Sequence, residues 1–144
     1  MWLLFLPNAP YIITDFIHLD NSPEGFELLD SFVIALFALT GLLMGVFSTL
    51  EIEKKLEDKL SKNVRQGLIL LIHFLCAYGI YLGRNLRYNS WDIITSPKPL
   101  IVDVSNMFLA PLEHYRIWVF VVITGVFLHI IYNLNRIFIK NKLL

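Results

Sequence analysis

The sequence lacks most of the residue patterns on which soluble enzymes build their sites. Its 144 residues include one cysteine, Cys76, which excludes an internal disulfide and a cysteine-based zinc site. It has no serine or cysteine nucleophile with an adjacent base, no phosphate-binding glycine loop and no His-Glu-x-x-His pattern. Its 12 basic and 12 acidic residues give a net charge of zero, so no basic surplus favours nucleic acid. The sequence indicates no cofactor and leaves open whether the protein is an enzyme.

Apolar residues are abundant instead. They make up 56% of the chain, a share that a water-soluble domain of this length cannot bury in one core. The stretches 32–50, 68–86 and 117–138 are long enough to cross a bilayer, which takes about 20 helical residues. The stretch 1–6 is too short and is stopped by Pro7-Asn8-Ala9-Pro10. We therefore predict an all-α fold, a polytopic transmembrane helical bundle with three spanning helices and a broken, partial helix at the N-terminus.

The basic residues are unevenly distributed, which predicts the orientation. Eight of the twelve lie in 51–66 or in the C-terminal tail: Lys54, Lys55, Lys59, Lys62, Arg65, Arg136, Lys140 and Lys142. Segment 7–30 has no lysine or arginine, and segment 88–113 has only Lys98. Because lysine and arginine concentrate in cytoplasmic loops, we expect 51–66 inside and 7–30 and 88–113 outside, with the N-terminus outside and the C-terminus in the cytoplasm. Residues 1–144 then form a single membrane domain.

Two further patterns concern packing. Residues 99–111 place their apolar side chains on one helical face between two prolines, which predicts a short interfacial helix. Glycines spaced by four occur in the first span, at Gly41 and Gly45, and in the second, at Gly79 and Gly83. Small residues let helix backbones approach closely in a membrane. We expect these glycines to mark contacts within the chain or between copies of it.

Two histidines lie inside the predicted spans. His73 and His129 are each seven or eight residues from the cytoplasmic ends of their helices, which places both about 10 to 12 Å deep at 1.5 Å per residue. At equal depth they can meet. Such a pair is a candidate proton relay. Two neutral histidines bonded to each other or to Thr124 would serve packing equally well.

The second span runs directly into a polar segment. This segment holds Arg84, Arg87, Asn89, Trp91 and Asp92, which exceeds what anchoring a helix in the headgroup region requires. The arginines are three positions apart, which predicts that both lie on one helical face. With the topology above, the same side of the membrane collects Asn8, Thr14, Asp15, His18, His114 and Arg116.

The residues of this outer cluster suggest two ligands. Guanidinium groups match phosphate oxygens two at a time, so an anionic lipid headgroup is one candidate, with Asp15 and Asp92 as alternative protein partners for the arginines. A metal is the other, because Asp15 and His18 share a helical face and His114 or Asp92 would supply a third ligand for zinc or iron. That spacing is common by chance, and the metal hypothesis carries less weight.

Several of these motifs resemble a known family. They are Leu6-Pro7-Asn8-Ala9-Pro10-Tyr11, Thr14-Asp15, His18-Leu19, Tyr81-Leu82-Gly83-Arg84, Arg87 and Asn89-Ser90-Trp91-Asp92, and they resemble the signature of the bacterial membrane-protein family called domain of unknown function 1361. The resemblance covers nearly the whole chain. It implies a polytopic helical protein of the bacterial cell membrane and no known activity, substrate or cofactor. Members of that family tend to be longer, so it also implies that N-terminal helices are lacking here.

Three functions are consistent with these observations. The first is recognition or processing of an anionic lipid or envelope group at the outer polar site. The second is a transport or ion-pathway subunit that uses His73 and His129. The third is a structural or assembly factor that binds another membrane protein, or a second copy of itself, through its glycine-lined helices. Membrane lipids are expected partners in every case, and nucleic acid in none.

Overall fold

A computed structural model describes residues 2–11 and 27–142, and the described residues form helices joined by short turns. In chain order the helices are α1 Trp2–Phe5, α2 Asn8–Tyr11, α3 Glu27–Leu56, α4 Lys62–Asn85, α5 Asp92–Thr95, α6 Pro97–Leu109 and α7 Tyr115–Lys142. No strand occurs among them. The all-α prediction is confirmed.

Three of the helices are long and apolar enough to cross a membrane. The candidate spans are Leu28–Leu56, Lys62–Asn85 and Tyr115–Ile139. Much of their apolar surface points away from the bundle, as in Phe32, Leu71 and Ile123, which are more than half exposed. Such exposure suits a lipid environment, where an apolar outer surface carries no penalty. The three helices indicate a multi-pass membrane protein, and the assignment of each connection to one side of the membrane stays a prediction.

The N-terminal residues 2–11 pack against α3 and α4, and the predicted glycine contacts are made with them. A Cβ atom at position 79 would lie 2.6 Å from Pro7 Cγ, so only glycine permits this approach. At Gly83 the nearest side chain is that of Tyr11, and at Gly45 it is that of Ala9. Gly45, Gly79 and Gly83 therefore mark contacts within the chain, made with residues 2–11.

Two further contacts hold this segment in place. Trp2 Nε1 donates a hydrogen bond of 2.6 Å to Ser48 Oγ on α3. Leu6 is buried in the larger of two apolar cores, which it shares with residues of α3, α4 and α7 such as Leu42, Ile72 and Leu128. Burial of this apolar side chain stabilises the position of the segment against the bundle.

The predicted interfacial helix corresponds to α6, which begins at Pro97 rather than at residue 99. Proline suits the first turn because its missing N–H would have no helical partner there. α6 buries Met107 in a second core with Ala77 of α4 and with Ile117 and Val121 of α7. The remaining apolar side chains of α6 are largely exposed, including Ile101 and Phe108. This helix therefore covers one end of the α4–α7 pair.

Alanine substitutions at two glycines of α4, Gly79 and Gly67, test the role of the N-terminal contact. We expect Gly79→Ala to lower the free energy of unfolding by about 1 to 3 kcal/mol, because the added methyl collides with the rigid ring of Pro7. Gly67→Ala is the matched control, since a Cβ there meets nothing within 4 Å and alanine favours the helix by about 0.5 to 1 kcal/mol. Unfolding by dodecyl sulfate in mixed micelles measures both. Equal stability of the two variants would contradict the packing described here.

Candidate functional site

The polar segment after α4 begins with a tight reversal of the backbone. α4 ends at Asn85, and Arg87 has a left-handed conformation with φ 58°. The N–H of Tyr88 donates to the carbonyl of Leu82 at 3.2 Å and closes the helix end. A left-handed residue other than glycine costs about 1 to 2 kcal/mol, so this turn stores strain at an arginine. The prediction that Arg84 and Arg87 share a helical face is wrong, because the helix ends between them.

The next residues form a turn that uses the carboxylate of Asp92. Asp92 Oδ2 accepts a hydrogen bond of 2.6 Å from the backbone N–H of Asn89. The N–H of Asp92 returns a bond of 2.9 Å to the carbonyl of Asn89. Asp92 therefore shapes the loop and begins α5, and within residues 2–11 and 27–142 it forms no ion pair with Arg87.

Three contacts tie this loop to its neighbours. Ser90 Oγ donates to the carbonyl of Leu4 at 2.9 Å. Trp91, which is exposed, packs edge to face on Phe5 with ring centroids 5.8 Å apart. These two contacts join the loop to the N-terminal segment.

The third contact joins the loop to α6. The Tyr88 hydroxyl donates to Asp103 Oδ2 at 2.7 Å. This hydrogen bond to Asp103 raises the pKa of Tyr88 above its usual value, with smaller contributions from burial and from the negative charges of Asp103 and Asp92.

A groove of about 390 Å³ lies between the N-terminal segment, α4, this loop and α6. Its lining residues are Leu3, Leu4, Pro7, Asn8, Tyr11, Leu75, Tyr78, Gly79, Leu82, Gly83, Tyr88, Asn89, Ser90, Ile93 and Leu100. The α4 residues recur at intervals of three and four, so they form one helical face of about two turns, or about 12 Å. Leu75 lies at the end of this face that is farther from the loop, and the polar residues Tyr88, Asn89 and Ser90 follow the helix end.

The predicted site residues divide into three groups. Asn8 and Asn89 line the groove, although 81 positions separate them in the sequence. Arg84 is half-buried beside the groove-lining Gly83, and Arg87 is exposed beside the groove-lining Tyr88. Neither arginine lines the groove itself.

The third group contains the metal candidates. Asp15 and His18, together with Thr14, lie outside the described residues. The backbone N–H of His114 bonds to the carbonyl of Ala110 in the turn before α7. No cluster of three histidine, cysteine or acidic side chains suited to a metal occurs in 2–11 or 27–142. The metal hypothesis, which requires Asp15 and His18, stays a prediction.

The two histidines inside the spans meet, as their equal depths predicted. His73 Nδ1 on α4 and His129 Nδ1 on α7 lie 3.2 Å apart. A hydrogen bond at this distance requires that one ring carries its proton on Nδ1 and that the other accepts there. Thr124, the alternative partner, lies elsewhere on α7 and lines an apolar surface groove of about 250 Å³ with Ile80 and Phe120.

A buried ionic cluster joins the three spanning helices near the 57–61 turn. Glu53 of α3 is 8% exposed, and its Oε1 lies 2.7 Å from Arg136 Nη2 of α7 and 3.4 Å from Arg65 Nε of α4. Its Oε2 accepts a hydrogen bond of 2.5 Å from the hydroxyl of Tyr132. Arg65 also reaches Glu57, whose side chain is 63% exposed, at 3.3 Å.

The sequence analysis missed this cluster because it placed Glu53 and Arg65 in an exposed basic loop. The spacing of residues in the sequence nevertheless indicates this cluster. On α3 the buried positions 38, 42, 46, 49 and 53 are spaced by three or four, so Glu53 continues the buried stripe. On α7 Arg136 follows the buried Leu128 and Tyr132 at the same spacing. Charged residues that continue an apolar periodicity are candidates for buried ion pairs.

Comparisons with known proteins identify a family, but no individual protein. A family model described as "Protein of unknown function (DUF1361)" matches residues 1–131. No curated protein and no solved structure matches the chain.

The ionic cluster makes a prediction about stability. Glu53→Gln keeps an acceptor for Tyr132 but removes the carboxylate that pairs with Arg136 and with the buried Arg65, so we expect a loss of about 3 to 5 kcal/mol. Glu57→Gln is the control and should cost less than about 1 kcal/mol, because that carboxylate is mostly exposed. Unfolding in mixed micelles distinguishes the two. Similar losses would mean that Glu53 does not carry the cluster.

The Tyr88–Asp103 bond makes a prediction about pH. Asp103→Asn should bring the pKa of Tyr88 down toward its usual value of about 10. Because the pKa is higher in the folded chain than in the unfolded one, the bond stabilises the fold at neutral pH, and its contribution is lost as pH rises through the folded-state pKa. Phenolate absorbance, corrected with Tyr88→Phe, measures the shift. An unchanged titration in Asp103→Asn would show that the Asp103 carboxylate does not raise the pKa of Tyr88.

Proposed function

Because the chain belongs to the DUF1361 family, whose description assigns no activity, we propose a function from the site itself: the protein binds an anionic amphiphile, a lipid or a lipid-linked envelope group, in the groove beside α4. In this proposal the groove opens on the outer face of a bacterial cell membrane. The connection 51–66 at the other end of the bundle, which carries four lysines and Arg65, then lies in the cytoplasm, in keeping with the usual distribution of positive charge.

The observation that carries the proposal is the division of the groove into an apolar and a polar part. Leu75, Leu82 and Leu3 supply an apolar wall that suits a hydrocarbon chain. The volume of about 390 Å³ is near the lower end of the roughly 300 to 1,000 Å³ typical of ligand sites. We therefore favour a single chain over two as the apolar part of the ligand.

The polar part offers unused hydrogen-bonding groups. The side-chain amides of Asn8 and Asn89 are exposed and make no hydrogen bond within the described part of the chain. Each amide offers both donors and an acceptor. Arg87 follows in the same loop and forms no ion pair with any described residue. Its guanidinium is the natural partner for a phosphate or carboxylate group.

The loop is held firmly enough to present these groups. Tyr88 is bonded to α6 and Ser90 to the N-terminal segment, so the two residues on either side of Asn89 are both fixed. Fixed binding groups lose less conformational entropy when a ligand binds. Glycine would form this turn with less strain, so an arginine at this position suggests a role for its side chain.

The assembly hypothesis has less support. Its basis was the set of four-spaced glycines, yet Gly45, Gly79 and Gly83 are covered by Ala9, Pro7 and Tyr11 of the same chain. A partner protein would have to bind elsewhere.

The groove can be tested by filling it. Leu75→Trp should weaken binding by about tenfold or more, because an overfilled site costs about 1 to 3 kcal/mol. Leu71→Trp is the matched control, one turn earlier on the same helix, similarly exposed and outside the groove. Native mass spectrometry of the purified protein with phosphatidylglycerol, compared with phosphatidylcholine, counts the bound lipid. Equal binding of both lipids, or equal effects of both tryptophans, would contradict the proposal.

The same assay tests the anionic group. Arg87→Asn removes the charge and keeps a residue that tolerates the left-handed backbone, so the preference for phosphatidylglycerol should fall by about tenfold. Arg116→Gln removes an exposed arginine at the start of α7 and should leave the preference intact. An equal fall in the preference of both variants would show that any exposed arginine attracts the lipid, and it would contradict the role proposed for Arg87.

A further inference from the structure

We propose that His73 and His129 form a site that binds one proton inside the bundle, reached from the end that carries Glu53. This site is separate from the groove and does not depend on it. Its components lie on all three spanning helices, with Glu53 on α3, His73 on α4, and His129 and Tyr132 on α7.

The hydrogen bond between the rings defines how many protons the pair accepts. In the neutral pair one ring donates from Nδ1, and its Nε2 therefore carries a free lone pair. A proton added to that Nε2 turns the donor into imidazolium and leaves the Nδ1–H···Nδ1 bond in place, strengthened by charge. A second proton would set two Nδ1 donors against each other at 3.2 Å and break the bond. The pair therefore binds one proton.

The cost of placing this pair in the bundle indicates a role beyond packing. His73 is only 4% exposed, in a helix where leucine or isoleucine would pack without a polar partner. α4 and α7 are already joined by apolar contacts among Ala77, Ile117 and Val121. A hydrogen bond is not needed to hold the two helices together.

Tyr132 lies between the pair and the ionic cluster. Its ring centroid is 5.2 Å from that of His73 and 6.0 Å from that of His129, with the second pair stacked. A cation over an aromatic face within about 6 Å is stabilised by the ring. The hydroxyl of Tyr132 donates to Glu53, which connects through Arg65 to the exposed Glu57.

The charges around the site balance. The groups that face it are Glu53 on α3, Arg65 on α4 and Arg136 on α7, with Glu57 at the rim. Two carboxylates and two guanidinium groups sum to zero, so the neutral pair adds no charge and the protonated pair adds one. A gap of about 20 Å³ beside His73 is lined mostly by apolar residues such as Leu6, Leu42 and Leu128. Its other members include Cys76 and Thr49, whose hydroxyl donates to the carbonyl of Gly45. Polar access is therefore from the Glu53 side.

The proton site can be observed by nitrogen NMR of histidine-labelled protein in lipid nanodiscs. On acidification we expect one proton per pair, with the Nδ1–Nδ1 coupling retained when the first proton binds. His129→Gln should abolish this shared titration, and His114→Gln, at the start of α7, should leave it unchanged. Independent titration of the two rings, loss of the coupling with the first proton, or no protonation before the fold is lost would overturn the proposal.

The route is tested in sealed proteoliposomes in which protease cleavage of the 57–61 turn reports orientation. Acidification of the side that bears this turn should protonate the pair, and acidification of the other side should not. Equal rates from both sides would overturn the route.

Discussion

The close approach of Pro7 to Gly79 is the contact on which the arrangement of the described bundle depends. Without a Cβ on α4, the N-terminal segment can lie directly against the helix backbone, where Leu6 enters the core. The same approach brings Leu4 and Phe5 within reach of Ser90 and Trp91. One small residue in a spanning helix therefore determines where a non-spanning segment lies and, through it, where the loop after α4 is held.

The N-terminal segment contacts two different parts of the structure on its two sides. Pro7 and Asn8 form a wall of the groove, whereas Leu6 and Pro10 border the small apolar gap next to His73. A four-residue helix such as α2 has little stability of its own, so its position follows from these contacts on both sides. Groups bound in the groove and the interior near the histidines are consequently separated by one layer of side chains.

The sequence predicts the large elements well because they follow from hydropathy and helix geometry alone. The three spans and the meeting of His73 with His129 required only residue counts and the rise per residue. The position of the N-terminal segment was not predictable, since six apolar residues carry no periodicity that says what they contact. The face of Arg87 was predicted wrongly because helix propensity does not reveal that the backbone reverses at a residue other than glycine.

The candidate site was predicted in part, and the part that failed shows how the two ends of the bundle differ. Near the 57–61 turn, Glu53 accepts a hydrogen bond from Tyr132 and forms ion pairs with two arginines, so the charges there are paired within the chain. At the other end the amides of Asn8 and Asn89 have no partner among the described residues, and Arg87 is held in a strained turn. Local rules are broken most often where a structure is kept for binding rather than for stability. The end with paired charges therefore holds the three helices together, and the end with the exposed amides is the one that offers binding groups to a ligand.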